Sequence, residues 1–373
     1  MKFIFLAPRY HTNQIGAFKK LIENGHDVIF YAHTIGKIED HDLIEPRIFQ
    51  PGFISKIFGV GGNTKPFFLP SILNFILSIY KDKPNFIIIR DPSRWFSLLA
   101  AITSRLFSVK IIFYTQKNIS IEISRHRMFF EKFFLFLFNA IWMSPIKDNF
   151  KELNNKNNHI QYVPFCIDGK FFLQLQEKSG PIQILSIGKM QKRKEHILLI
   201  NSLSICPNFD WKLTIIGESS TPEHETYKKY LEECINSNDI KNRVTVINNV
   251  QHSEIIKYYE KSDIFILPAK NEPASISILE AMAGGLAVIC SDSCGTKTYI
   301  KNGSNGYIFK TSNKEDLSNK ISLLNNRSEI NRMGLNSQKI ALNCASPDQF
   351  YSAFKEIILC VGLKKLEYFL FNM

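Results

Sequence analysis

Two glutamates eight positions apart, in a segment that turns from strand to helix, are the first place in this sequence where side chains could do chemistry. Residues 271–285 (NEPASISILEAMAGG) follow the apolar run 264–267 and Pro268. Glu272 falls in the strand-to-helix loop and Glu280 about one turn into the helix. An ionised carboxylate is a good acceptor for hydroxyl groups, so Glu272 suits sugar hydroxyls and Glu280 a ribose. The helix start adds free N–H groups and partial positive charge, which suit a phosphate or sugar oxygen. A plainer reading stands beside this one. Ser277-x-x-Glu280 is a capping-box pattern, in which Glu280 only satisfies backbone donors, and Glu272 is then an ordinary loop residue. The small-residue run 281–285 (AMAGG) permits close packing of helix and strand.

A second cluster lies at 187–195 (IGKMQKRKE), where Gly188 ends an apolar strand and Lys189, Lys192, Arg193 and Lys194 follow. Cations on a glycine turn at a strand's carboxyl end suit a diphosphate. They would also stabilise charge developing on a departing diphosphate. The alternative is a solvated basic turn. Residues 213–219 (LTIIGES) form another strand ending in glycine, and Gly217 would let a ligand approach the backbone, unless it is merely a turn. Asp40-His41-Asp42 has the D-x-D form that binds a metal–nucleotide pair, but it lies in a charged loop, so no metal site is expected.

Residues of this kind need a sheet to position them. In the first half, apolar strands are expected at 2–6, 27–31, 86–89, 110–114, 141–144 and 160–163. A helix over 12–24 is implied by Phe18, Leu21 and Ile22, with Thr12 or Asn13 at its start and Gly25 at its end. The rhythm breaks at 171–180 and restarts with strands near 182–187, 212–216, 244–247, 264–267 and 286–290. Two successive α/β runs predict two doubly wound Rossmann-like domains facing a cleft, with ligands at the carboxyl ends of the strands. The expected domains are 1–170 and 180–346.

Composition narrows the class. The chain has 373 residues, 45% hydrophobic and 21% charged, with a formal net charge of +12. That excess favours an anionic partner or is a bias of composition. No recognition-module signature supports nucleic-acid binding. The seven cysteines are scattered and lack CxxC pairs, which reads as a reduced, cytoplasmic protein. The apolar start MKFIFLA is too short for a signal peptide and reads as a first buried strand. No run is long enough to span a membrane. Residues 66–80 and 125–143 are rich in Phe with basic edges, and 363–371 adds a Lys pair beside aromatics. These point to peripheral membrane contact by in-plane helices, against the alternative of packing within the fold.

Together these residues resemble the glycosyltransferase family 4 (group 1) enzymes, which have the GT-B fold. The resemblance is strongest over 184–309. The family's E-x7-E element corresponds to Glu272 and Glu280, and its strand-Gly-Arg…Lys element to Gly188, Lys189 and Lys194. Lys stands at 189 where Arg is usual, and Arg193 can supply the guanidinium. Residues 163–171, 244–250, 262–268 and 301–309 fit in the same order. The resemblance implies a nucleotide-diphosphate-sugar as co-substrate, with no cofactor and no metal, and transfer that retains anomeric configuration. Lys189, Arg193 and Lys194 would meet the diphosphate, Glu280 the ribose and the region around Val250 the base. Glu272 and the backbone at Ala274, Ser275 and Ile276 would meet the donor sugar. On the acceptor side the usual Gly-Gly turn after the first strand is replaced by residues 9–14. That leaves His11 as a candidate, and Thr115-Gln116 stand where a His is usual. The last helix, about 347–373, is expected to cross back to the first domain. The expected function is hexosyl transfer to a sugar or lipid-linked acceptor in bacterial surface polysaccharide or glycolipid synthesis, at the inner face of the plasma membrane. A catalytically silent protein of the same fold that binds nucleotide sugar, or partners an active subunit, is the alternative.

Overall fold

A computed structural model describes residues 1–10, 14–35, 41–58, 67–119, 124–147, 159–206 and 210–363, the side chains of 360–363 excepted. His11, Thr12, Asn13 and Asp40 therefore lie outside the described residues. The chain divides into two units: Met1–Cys166 with Pro347–Met373, and Ile167–Ser346.

The first unit is built on a parallel sheet of β1 (Lys2–Leu6), β2 (Asp27–Ala32), β3 (Arg47–Ile48), β4 (Phe86–Arg90), β5 (Lys110–Tyr114), β6 (Ala140–Ser144) and β7 (Ile160–Tyr162). The strand order is β3-β2-β1-β4-β5-β6-β7. Successive side chains of a strand point to opposite faces, and β1 shows the result. Phe3 and Phe5 join Phe18 and Leu21 of α1 (Ile15–Glu23) and Phe350 and Phe354 of α12 (Pro347–Leu363) in one cluster. Ile4 and Leu6 join a second cluster on the other face. There the cover is α3 (Ile72–Asp82), α4 (Trp95–Leu106) and α5 (Arg125–Phe138), which contribute Phe75, Phe96 and Phe138; a short α2 (Phe53–Ile57) precedes them. Ser124 starts α5 by accepting from the Arg127 N–H, 3.4 Å away. The helix over 12–24 expected from sequence is observed from Ile15, and Gly25 follows its C-cap Asn24 at φ 75°.

The second unit carries a parallel sheet of β8 (Ile182–Ile187), β9 (Trp211–Gly217), β10 (Val244–Asn248), β11 (Ile264–Leu267), β12 (Ala287–Ser291) and β13 (Gly306–Phe309), in the order β10-β9-β8-β11-β12-β13. Its helices are α6 (His196–Leu203), α7 (Pro222–Ser237), α8 (Ile256–Lys261), α9 (Ile276–Ala283), α10 (Lys314–Ser322) and α11 (Arg327–Ala345). Leu199, Leu231 and Leu317 from α6, α7 and α10 pack with Ile182 and Ile184 of β8. The small-residue run after α9 has a packing cause. A Cβ on Gly334 of α11 would lie 2.1 Å from the Gly285 carbonyl oxygen, so helix and turn meet backbone to backbone. Gly285 itself is left-handed, at φ 75°.

Because every pairing in this sheet is parallel, the loops after β8, β9, β10, β11 and β12 leave the same edge. The order reverses direction beside β8, whose neighbours are β9 and β11. That is where doubly wound sheets place their ligands.

Candidate active site at the carboxyl edge of the second sheet

The loop after β8 and the loop after β11 meet through one carboxylate. Arg193 Nη1 and Lys194 Nζ each donate to Glu272 Oε2 at 2.6 Å. Lys194 and Glu272 are buried, and Arg193 keeps 41% of its side chain exposed. Local structure sets this up. Residues Lys192–Lys194 form a single 3-10 turn closed by Glu195 in the left-handed region at φ 50°. The Lys270 N–H donates to the Arg193 carbonyl at 2.8 Å, which ties the two loops together. Glu272 is also fixed through its backbone, since its carbonyl accepts from the Gly295 N–H at 2.8 Å, and Asn271 before it is left-handed.

Glycines make room for these side chains. A Cβ at Gly188 would stand 3.0 Å from Lys194 Cδ, so the lysine stem runs over the bare backbone. The space above Gly217 is taken as well: a Cβ there would meet Met190 Cε at 2.3 Å, and Met190 is fully buried. Met190 thus packs over the Gly217 backbone, where the sequence suggested room for a ligand. Lys189 does not join Arg193 and Lys194. It pairs with Glu218, just after β9, at 2.9 Å. His196, at the start of α6, is wholly buried; burial first, then the Lys194 charge, pushes it down to about 4, so it stays neutral in this basic neighbourhood.

Glu280 sits inside α9 with a separate set of partners. His252 Nε2 lies 3.0 Å from Oε1, and the Tyr259 hydroxyl donates to Oε2 at 2.9 Å. Burial, then the Glu280 charge and the hydrogen bond to it, holds the Tyr259 phenol well above its ordinary range, so it remains a donor. This replaces the capping-box reading. The N-cap of α9 is Ser275, with no side-chain cap, and Glu280 answers side chains rather than backbone donors. His252 and Tyr259 were not singled out from sequence, although a His two residues past Val250 was there to be weighed. Nδ1 of His252 is buried and lacks a partner among the described residues.

Ala274, Ser275 and Ile276 form the entry to α9; Ser275 is buried and its hydroxyl lies 2.8 Å from that of Ser277. Val250 is half-buried in the loop after β10, two residues before His252. In the first unit Gln116, just past β5, accepts from Nη2 of Arg90, the last residue of β4, at 3.3 Å. His11 lies outside the described residues. Among the described residues no group of three or more His, Cys, Asp or Glu is gathered so as to hold a metal ion.

Comparison with known proteins gives this geometry a context. The family model for glycosyl transferases group 1 matches residues 169–340, the second unit with its two loops and α9. The capsular polysaccharide biosynthesis glycosyltransferase CapM of Staphylococcus aureus is 25% identical over 301 residues, covering 73% of this chain and 75% of that protein. A Campylobacter jejuni N,N'-diacetylbacillosaminyl-diphospho-undecaprenol alpha-1,3-N-acetylgalactosaminyltransferase is 40% identical over 93 residues, 25% of this chain and 22% of that one. An uncharacterized glycosyltransferase of Haemophilus influenzae is 29% identical over 150 residues, 39% of this chain. With several curated relatives the match therefore spans less than half of their length, 40% in the Haemophilus protein. Solved structures match almost end to end. Anabaena HepE, crystallised with UDP and glucose, has a TM-score of 0.71 at 14% identity, covering 96% of this chain and all of that one. Sucrose-phosphate synthase of Thermosynechococcus elongatus gives 0.72 at 15% identity over 96% of this chain and all of that one. These likenesses establish the GT-B type of fold, with two Rossmann-like units.

Proposed function

From its place among the group 1 glycosyltransferases, we infer that this chain transfers a hexosyl group from a nucleoside diphosphate sugar to an acceptor. The observation that carries the reading is the pair of cations, Arg193 and Lys194, at 2.6 Å from one oxygen of Glu272 at the sheet's carboxyl edge. Two donors converging on one oxygen are arranged for an oxyanion. A donor diphosphate would take over part of their hydrogen bonding and leave Glu272 to accept from the sugar's hydroxyls. As the glycosidic bond breaks, the same cations would stabilise the charge that collects on the diphosphate. Side-chain cations supply that charge, so the transfer is taken as metal-independent. Glu272 would lie with the sugar, and the transfer is proposed to retain configuration, with the diphosphate itself accepting the acceptor's proton. Glu280, steadied by His252 and Tyr259, would accept from ribose hydroxyls, and the loop around Val250 would meet the base.

The acceptor is proposed to be a sugar on a lipid carrier, in bacterial surface polysaccharide or glycolipid synthesis at the inner face of the plasma membrane. The names of the Staphylococcus and Campylobacter relatives support that choice. Gln116 in place of the usual His favours one competitor, a silent protein that binds nucleotide sugar without transferring it.

A thermal-shift series over uridine, guanosine, adenosine and cytidine diphosphates and their hexoses tests the donor half. Binding to the native state alone raises the melting temperature, by about 2.7 kcal/mol of added stability at a hundredfold excess over Kd. At least one diphosphate should do this, and product analysis with the matching sugar should show transfer or slow donor hydrolysis that Glu272→Ala abolishes. A flat response to every nucleotide would end the proposal. A shift without turnover would leave the silent protein.

A further inference from the structure

The first unit has a carboxyl edge of its own, and it carries a cation that the proposed donor chemistry does not use. Every pairing in this sheet is parallel, so the segments after β1, β4, β5 and β6 leave on one side. The strand order turns beside β1, whose neighbours are β2 and β4. Ligands of doubly wound sheets lie outside the carboxyl ends at such a turn. Arg90, the last residue of β4, stands there.

Its partners are neutral. Nη2 donates to Gln116 Oε1 at 3.3 Å, and the guanidinium lies over the Tyr114 ring, 5.9 Å from its centre. Nη1 is buried and has no hydrogen-bond partner among the described residues. No carboxylate pairs with Arg90 among those residues either. Asp91, next in the chain, pairs with Arg94, and Glu131 of α5 is taken by Lys117, Arg127 and His159. A guanidinium drawn partly out of water ordinarily gains an anion in exchange, because it cannot shed its charge by losing a proton. The local field has the same sign. Residues 7–10, 90–94, 115–119 and 145–147 hold Arg9, Arg90, Arg94, Lys117 and Lys147 against Asp91 as their one carboxylate.

A second donor stands beside the first. Burial holds the Tyr114 phenol above its ordinary range, although the Arg90 charge pulls the other way, so it keeps its proton at neutral pH. Its oxygen lies 3.5 Å from Gln116 Nε2, and among the described residues nothing accepts the phenol's own proton. Arg90, Tyr114 and Gln116 all stay partly exposed, so the cluster is open at the sheet edge.

We propose that Arg90, with Tyr114 beside it, binds an oxyanion carried by the acceptor, a phosphate or a carboxylate close to the sugar that receives the transferred group. The planar fork of an arginine matches either oxyanion with parallel N–H donors, whereas a neutral sugar would leave its charge unanswered. That the oxyanion belongs to an acceptor rests on the transferase reading above; that the first unit binds one does not.

Ligand-observed NMR titration of the full chain with glucose 1-phosphate, glucuronate and glucose tests it. At least one of the two anions should bind with a Kd of about 1 mM, and glucose far more weakly. Arg90→Gln should weaken the anion at least about tenfold, and Arg90→Lys, which keeps the charge without the fork, about threefold. Tyr114→Phe should cost about threefold. Lys194→Met and a saturating nucleoside diphosphate should leave the anion's affinity unchanged, which separates this site from the cations of the second unit. If no nucleoside diphosphate binds, the donor reading fails while the anion titration still reports on Arg90. Binding of the phosphate alone would assign a phosphate-linked acceptor, and binding of glucuronate alone an acidic sugar. Melting curves show whether each variant is folded; where Arg90→Gln is not, Arg90→Lys and Tyr114→Phe decide. The proposal is overturned by anions that fail to bind the wild type or bind no better than glucose. It is equally overturned by full competition from the nucleotide, or by folded variants that bind like wild type, which would leave Arg90 as a prop for Tyr114 and Gln116.

Discussion

Lys194→Met and Glu272→Gln should destabilise the second unit unequally, and the order of the two effects follows from who else touches Glu272. Glu272→Gln leaves the Lys194 ammonium, with 11% of its side chain exposed, facing a neutral amide. Breaking a buried pair from one side costs about 3–5 kcal/mol. The glutamine carbonyl still accepts one hydrogen bond, so about 2–3 kcal/mol is expected here. Lys194→Met removes the cation but keeps a stem of similar length over Gly188, and Glu272 retains Arg193 at 2.6 Å. Its carboxylate stays paired, so the loss should be about 1–2 kcal/mol. Urea unfolding read by Trp211, buried in the second unit, measures both, with Trp95 and Trp142 of the first unit replaced by Phe. A bound nucleoside diphosphate should restore most of the loss in Glu272→Gln, because an anion returns to the stranded cations. It should restore little in Lys194→Met. If Lys194→Met proved the costlier change, or the diphosphate rescued both alike, the cations would not be the ligand's anchor and the argument for the site would be wrong.

Gly334→Ala should cost about 3 kcal/mol, because its new Cβ would meet the Gly285 carbonyl at 2.1 Å and backbone cannot step aside; Gly217→Ala, opposed by the flexible end of Met190, should cost about 1 kcal/mol. Thermal melts of the two variants check the order. The first unit should lose stability in acid. Burial pushes the Glu131 carboxyl up, but the hydrogen bonds from His159, Lys117 and Arg127 together outweigh it and hold it down to about 2 against an ordinary 4.5. A depressed carboxylate contributes stability above its unfolded value, and that is lost as pH falls from about 4.5 through about 2. Lys117 and Arg127 are themselves about half exposed and screened, so the contribution is discounted to about 2 kcal/mol. Melting curves between pH 5 and about 2.5 should show the loss in wild type and a flatter profile in Glu131→Gln. His252→Ala should raise the donor KM about tenfold with a smaller change in kcat, as Glu280 would keep Tyr259 and lose one charge-assisted partner. Steady-state kinetics decide it, and an unchanged KM would remove Glu280 from the donor site.

Much of the fold could be read from the sequence because buried parallel strands write themselves as unbroken apolar runs. FIFL in β1, FIII in β4 and IFIL in β11 need no partner to be recognised. The two residues of β3 did not stand out: so short an edge strand, Arg47 and Ile48, has no period of its own and exists only through its pairing with Tyr31 and Ala32. At the site, Arg193, Lys194 and Glu272 could be placed near one another because each follows a strand, and parallel strands deliver such loops to one edge. What filled the glycine turns could not be read. The lack of a Cβ at Gly217 is visible in sequence, but whether a ligand or Met190 uses the space depends on the path of a side chain 27 positions away. The partners of Glu280 are harder still, since His252 and Tyr259 reach it across separations of 28 and 21 residues.

The phenylalanines of α5 show the same limit in another form. RHRMFFEKFFLFLF carries apolar residues on every side of a helix, so periodicity does not say which side is core. Only the sheet decides: Phe134 and Phe138 turn toward Phe113, while Phe129, Phe130 and Phe133 stay exposed. Glu131 settles the rotation. A lone carboxylate on so apolar a helix would ordinarily point to water, whereas here three basic partners draw it inward between strand and loop. Turning Glu131 to solvent would bring a negative charge to the phenylalanine face and strip His159 of its partner. The inward ion cluster and the outward aromatic face are therefore one arrangement, and any change that breaks the first should weaken the second.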